Sequence, residues 1–309
     1  MDFPSPSQGR PPPRHPRWGV ALGGGGGRAF AHLGVLRALA AAGLEPDVVA
    51  GSSMGALMGA LYARRADLDE ALAATRAYFA PGAAALRNRR ERPADARGDR
   101  LHQRRGPFPR LRRSLATAAV ALATSFRPGL RTFHPLHRAI DRLIPEGTAF
   151  ADCAKPFACV ALDLNAAALA VFASGPLAPA LKAGVSVGLV FSPFRHDGCS
   201  YVDAAPVSPV PVRACRALGA DRVLAVDLCA PVEPEDRFDT GFDVVRRIVA
   251  LQTRILSDEE IALADLVIRP ETGPVFWADL SRVDEMVEAG DRAMTERLPA
   301  WRACLEMRD

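Results

Sequence analysis

Apolar residues along this chain fall into short solid runs separated by longer stretches in which they recur every three or four positions. The runs at 18–22, 47–50, 157–162, 168–172, 200–203, 222–228 and 264–268 are mostly bounded by Gly, Pro or polar residues and predict short buried strands. The stretches at 29–44, 56–64, 67–79, 136–143, 177–183, 210–218, 242–261 and 280–304 predict helices. Strand and helix alternate, which predicts an α/β fold: a three-layer α/β/α domain with a largely parallel central sheet.

Length and composition sharpen this picture. With 309 residues, 49% of them apolar, the chain can build a sizeable core. We expect one domain over 18–305, preceded by a disordered Pro-rich tail at 1–17 that lacks the apolar stretch of a signal peptide. No apolar run reaches the roughly 18 residues of a membrane-spanning helix, and the longest suspicious one, 115–126, contains Thr and Ser. The six cysteines form no C-x-x-C pair and read as reduced thiols, so a cytoplasmic location is expected, with peripheral membrane contact left open. The six histidines show no zinc-site spacing, and neither a metal nor another cofactor is expected.

The formal charge of +4 hides an asymmetry. Between Arg87 and Arg113 eleven arginines face only Glu91, Asp95 and Asp99, a net of +8 that leaves −4 for the rest of the chain. This stretch, within a basic insertion at about 84–114, could lean on anionic lipid headgroups or serve as a plain solvated loop. It lacks the interleaved aromatics of a nucleic-acid module, and no nucleic-acid partner is expected.

Candidate chemistry lies in two Gly-rich stretches. Gly23-Gly24-Gly25-Gly26-Gly27-Arg28 and Gly51-Ser52-Ser53-Met54-Gly55 each follow a predicted strand and precede a predicted helix. The second is a G-x-S-x-G nucleophile elbow, which raises Ser53 at a helix N-terminus where backbone N–H groups favour negative charge. The first also satisfies the permissive G-x-G-x-x-A dinucleotide pattern, but Asp47 precedes the second strand, whose end holds Gly51-Ser52-Ser53 instead of the acidic residue such a site requires. No Lys-Ser/Thr follows the glycines, which excludes a P-loop. Five glycines in a row cost backbone entropy that a turn does not need, so close approach of backbone to a charged atom is the better reading. A second G-x-S-x-G, at 184–188, follows a helix and leads into an extended run, so its Ser186 is read as structural.

A serine nucleophile needs a base, yet no histidine follows His196. A triad through Asp163 and His196 is formally available, although His196 sits in the polar turn Arg195-His196-Asp197-Gly198. The stronger candidate is Asp203, which ends the strand-like Ser200-Tyr201-Val202 just before Pro206; Asp227, at another strand end, is the reserve.

With Gly-rich loop, elbow and late strand-end Asp in this order, the chain resembles the patatin-like phospholipase family, particularly its bacterial members related to neuropathy target esterase. The likeness extends to His32-Leu33-Gly34-Val35-Leu36, to Tyr201-Val202-Asp203 with Pro206, Pro209 and Pro211, to Ala264-Asp265-Leu266-Val267-Ile268-Arg269-Pro270 and to Glu288-Ala289-Gly290, covering roughly 18–298. It implies hydrolysis of lipid acyl esters, phospholipid or lysophospholipid, by a metal-independent Ser-Asp dyad. Ser53 would be the nucleophile and Asp203 the base. Gly24, Gly25 and Gly26, with the Met54 N–H, would hold the oxyanion, and Arg28 would add a nearby positive charge. The chain departs from the family at Asp203-Ala204-Ala205, where Gly normally follows the Asp, and at Ala29. A Cβ at a position needing left-handed backbone costs roughly 1–2 kcal/mol, which leaves open an alternative of the same fold: a lipid-binding or regulatory protein with weak or no catalysis.

Overall fold

A computed structural model of the chain describes residues 16–79, 135–188, 190–229, 231–273 and 275–307. Nearly all of the predicted tail, the insertion at about 84–114 and the run at 115–126 lie outside the described residues.

The strands are β1 (Trp18–Leu22), β2 (Val48–Ser52), β3 (Phe157–Asp163), β4 (Ala168–Phe172), β5 (Phe194–His196), β6 (Cys199–Asp203), β7 (Arg222–Val226) and β8 (Leu266–Ile268). They form one sheet in which β3, β2, β1, β7 and β8 are neighbours in that order and all parallel. The sheet is therefore largely parallel, as expected, and its exceptions are β4, β5 and β6, which pair antiparallel. The hairpin β5–β6 turns at Asp197-Gly198, both at positive φ (48° and 79°), the geometry that a two-residue hairpin turn with Asp-Gly favours.

The helices are α1 (Ala31–Ala41), α2 (Met54–Arg65), α3 (Leu68–Phe79), α4 (Pro135–Leu143), α5 (Leu177–Gly184), α6 (Val212–Ala217), α7 (Gly241–Ile261) and α8 (Val283–Glu306). The predicted helix at 29–44 is shorter than its apolar pattern, because a 3-10 turn at Gly26–Phe30 precedes α1 and Gly43 takes positive φ just beyond it.

Strand alternation divides the core into two layers. Val20, Leu22, Leu224 and Val226 point to one face and pack with α1, α2 and α8; Ala21, Val223 and Ala225 point to the other, against Val212, Ala214 and Cys215 of α6. On the first face α1 and α8 cross so closely that a Cβ on Gly34 or Gly290 would collide with a backbone carbonyl of the other helix.

One detail of register positions the candidate site. Cys159 and Val160 of β3 pair with β2 along one edge and β4 along the other. From Ala161 onward β4 continues, but the first edge is taken over by β6. Val160 is opposite Ser52 and the next residue, Ala161, is opposite Asp203. Strands β2 and β6 therefore run toward each other along β3 and meet end to end.

Candidate active site

A single residue, Ser53, joins β2 to α2, and it does so at φ 54° and ψ −131°. A non-glycine residue in that region carries about 1–3 kcal/mol of strain, tolerated where surrounding structure imposes it. The two motif glycines make the turn feasible. A Cβ on Gly51 would collide with Ala56 of α2, and one on Gly55 with the carbonyl of Leu22 in β1. Ser53 thus stands at the N-terminus of α2, in the positive end of the helix dipole.

The end-to-end meeting of β2 and β6 brings Asp203 to it. Ser53 Oγ donates to Asp203 Oδ2 at 2.5 Å, a short bond between groups 7% and 5% exposed. Oδ1 accepts the Ala205 N–H at 2.8 Å, and the Asp203 N–H donates to the Ser186 carbonyl at 2.9 Å. Burial pushes the Asp203 carboxyl up to about 6, against the opposing effect of the bonds from Ser53 and Ala205. The carboxylate is therefore a stronger base than an exposed aspartate and is still ionised at neutral pH. Neither Ala204 nor Ala205 has positive φ, so the alanines that replace the family's usual glycines carry no left-handed strain here.

The glycine loop lies alongside. A Cβ on Gly24 would sit 3.3 Å from Ser53 Cβ and 3.1 Å from Ala205 Cβ. The Gly24 N–H, however, donates to the Pro209 carbonyl at 2.9 Å. This corrects the expected donor set: Gly24 provides close approach, while its single N–H is already used. The N–H groups of Gly25, Gly26 and Met54 have no backbone or side-chain acceptor among the described residues. Gly26 takes φ +57° against the Trp277 backbone. Arg28 reaches back to the Gly25 carbonyl at 3.3 Å, and burial lowers its pKa despite nearby Cys229 and Asp227.

His32, which no local motif marks as part of the site, supports the glycine loop. Fully buried, it donates from Nε2 to the Gly23 carbonyl at 2.7 Å, and burial holds its pKa down at about 4, so it stays neutral. With the Val226 carbonyl accepting the Gly23 N–H at 3.0 Å, it clamps the start of the loop. Its presence in the run His32-Leu33-Gly34 was visible, but its aim depends on α1 crossing under the loop.

The other candidates lie elsewhere. Ser186 Oγ donates to the Lys182 carbonyl at 2.7 Å and receives His137 Nε2 at 3.0 Å, which leaves its proton bound to a carbonyl and unactivated. Its own carbonyl holds Asp203, a structural contribution. His196 is 3.4 Å from Asp197, and Asp163 accepts the N–H groups of Asn165 and Ala166 in a turn. Asp227 is bound by Arg269 at 3.0 Å, Arg254 at 3.3 Å and Ser257 at 3.3 Å, and ties α7 to the sheet. The described residues contain no cluster of three or more His, Cys, Asp or Glu side chains arranged to hold a metal ion. No described helix is long and apolar enough to cross a membrane.

The chain is similar in sequence to several known proteins. The chain is 30% identical over 213 residues to an NTE family protein of Mycobacterium bovis, covering 69% of this chain and 49% of that one. It is 29% identical over 210 residues to lysophospholipase NTE1 of Mycosarcoma maydis, covering 68% of this chain and 10% of the relative. It is also 29% identical over 300 residues to the patatin-like phospholipase domain-containing protein ZK370.4 of Caenorhabditis elegans, covering 88% and 20%. The chain thus spans from a tenth to about half the length of these relatives. The sequence model of patatin-like phospholipases matches residues 20–216, a span that contains the glycine loop, the Ser53 elbow and Asp203. By that match over well more than half its length, the chain belongs to the patatin-like phospholipase family.

Proposed function

We propose that this protein is a serine acyl hydrolase that cleaves the acyl ester of a phospholipid or lysophospholipid through a Ser53–Asp203 dyad. The observation that carries the reading is the 2.5 Å bond between two buried groups, one of them a strained serine at a helix N-terminus. Asp203 accepts the proton as Ser53 Oγ attacks the acyl carbonyl. The developing oxyanion is held by the N–H groups of Gly25, Gly26 and Met54, with the field of Arg28 behind them. The protonated Asp203 returns its proton to the departing alcohol, leaving an acyl-Ser53 ester. Water, deprotonated by Asp203, then releases the fatty acid and restores the serine. None of these steps requires a metal. The lysophospholipase names among the relatives support the substrate class.

The test is covalent labelling by a fluorophosphonate probe, read by intact mass. One adduct is expected on the wild type and on Ser186→Ala, and none on Ser53→Ala or Asp203→Asn. A folded wild type that takes no label would instead favour a lipid-binding protein without catalysis.

A further inference from the structure

Helix α7 is amphipathic in the inverted sense. The polar side chains that it turns to the domain lie in its second half: Arg254 and Ser257 bind Asp227, and Glu260 accepts the Ser208 hydroxyl at 2.9 Å, while Arg246 pairs with Glu235 of the preceding loop at 2.8 Å. Its apolar side chains face outward, with Val245, Ile248 and Ile255 exposed by 55%, 56% and 58%, and Val244, Val249 and Leu251 by at least 40%. At 3.6 residues per turn these six occupy an arc of about 160°, interrupted between Val244 and Ile255 only by Gln252.

Topology shows where this face points. Helix α7 is the crossover between parallel strands β7 and β8, so it runs against them. Arg254 and Ser257 are pinned to Asp227, the first residue past the end of β7. Residues 241–253 therefore rise about 20 Å beyond the strand ends, on the edge of the sheet that carries Ser53. The loop leaving β8 borders the same edge. Its Arg269 binds Asp227 at 3.0 Å, and its Trp277 carbonyl accepts the Gly27 N–H at 2.8 Å. That loop exposes Phe276 by 65% and Trp277 by 40%, with ring centroids 5.7 Å apart.

We propose that the outward face of α7, together with Phe276 and Trp277, docks on an uncharged or zwitterionic lipid surface and presents the Ser53 edge to it. Two observations select this occupant. The apolar groups come from two separate elements, one of them hydrogen-bonded to the glycine loop, and the α7 arc is far wider than the narrow seam by which a second copy would form a coiled coil. The first turns of α7 and the segment before them, 233–247, carry Glu233, Glu235, Asp236, Asp239 and Asp243 against Arg237, Arg246 and Arg247, a net of −2 with both helix arginines paired to Glu235, so this surface has no positive excess to draw it to an anionic membrane and a phosphatidylcholine surface needs none. Docking would then be driven by apolar burial and would persist in high salt. Its biological sense rests on the lipid-ester reading, but its physical test does not.

The test is flotation of the full chain with phosphatidylcholine vesicles, alongside the triple variant Val245→Glu, Ile248→Glu, Ile255→Glu. The wild type is expected to float at both low and high salt, and its tryptophan emission to shift to the blue, because Trp277 is exposed while Trp18 and Trp301 are buried. The triple variant should lose at least about tenfold in vesicle partitioning with Tm unchanged. The proposal is overturned by a wild type that does not float or a variant that floats equally well. A wild-type dimer that the variant splits, seen by light scattering, overturns it in favour of a self-interface. A fall in Tm overturns it by showing that the chain itself covers the face. Flotation without any fluorophosphonate labelling would sink the hydrolase reading and leave the docking surface standing.

Discussion

At the residue scale, the proposed dyad turns on the desolvation of Asp203. The proposed mechanism uses its ionised form, so the rate of labelling or ester cleavage should rise from the acid side with a midpoint near pH 6, read from a pH profile of kcat/KM. Stability should move the opposite way. The folded-state pKa of about 6 lies above the ordinary value of 3.8, so between those limits the folded chain binds a proton that the unfolded chain does not. Stability from this group is present at low pH and is lost as pH rises through that window, by roughly 3 kcal/mol in all. Asp203→Asn should therefore be inactive yet more stable than wild type at pH 8, with the gain vanishing near pH 3.5; equal urea midpoints at pH 8 would refute the desolvation argument. Ser53, Asp203 and the glycine loop were legible because their residue types and flanking patterns announce them. The occupied Gly24 N–H and the His32 clamp were not, since each depends on a backbone carbonyl brought from a distant element.

At the element scale, close approach of backbones decides what can be changed. Gly55 sits where α2 meets the end of β1, and any Cβ there strikes the Leu22 carbonyl; Gly43, at φ +73°, has nothing within 4 Å. Gly43→Ala should cost only the left-handed penalty of about 1 kcal/mol, while Gly55→Ala should cost clearly more and lower or abolish labelling, as measured by Tm and probe adduct. Comparable Tm losses in the two variants would show that α2 can shift to make room. Periodicity places most strands and helices, with errors at ends such as the 3-10 turn before α1, and it misses the three-residue β5 altogether, because both depend on what they pack against.

At the scale of the whole molecule, the match to the family ends at residue 216, yet β1 has β7 as its other neighbour and α8 closes the layer over α1. Trp301 of α8 is fully buried and meets Trp18 of β1 edge to face, with centroids 5.2 Å apart. Trp301→Ala should destabilise by about 3–5 kcal/mol in urea unfolding, and a chain ending before α8 should not fold cooperatively. A shift below about 1 kcal/mol would mean that α8 is only peripheral to the fold.

The amino-acid sequence by itself determined the α/β class, most strands and helices, the family resemblance and the residue types of the candidate dyad. All of these follow from local periodicity, turn chemistry and short motifs, which act over a few residues. Only the tertiary structure decided which acid meets Ser53, which loop N–H groups remain unused, and that α7 turns its apolar side outward. The first depends on β6 taking over from β2 along β3, one residue apart, across 150 positions of sequence. Such long-range pairings are set by the packing of the whole sheet, and no local pattern encodes them.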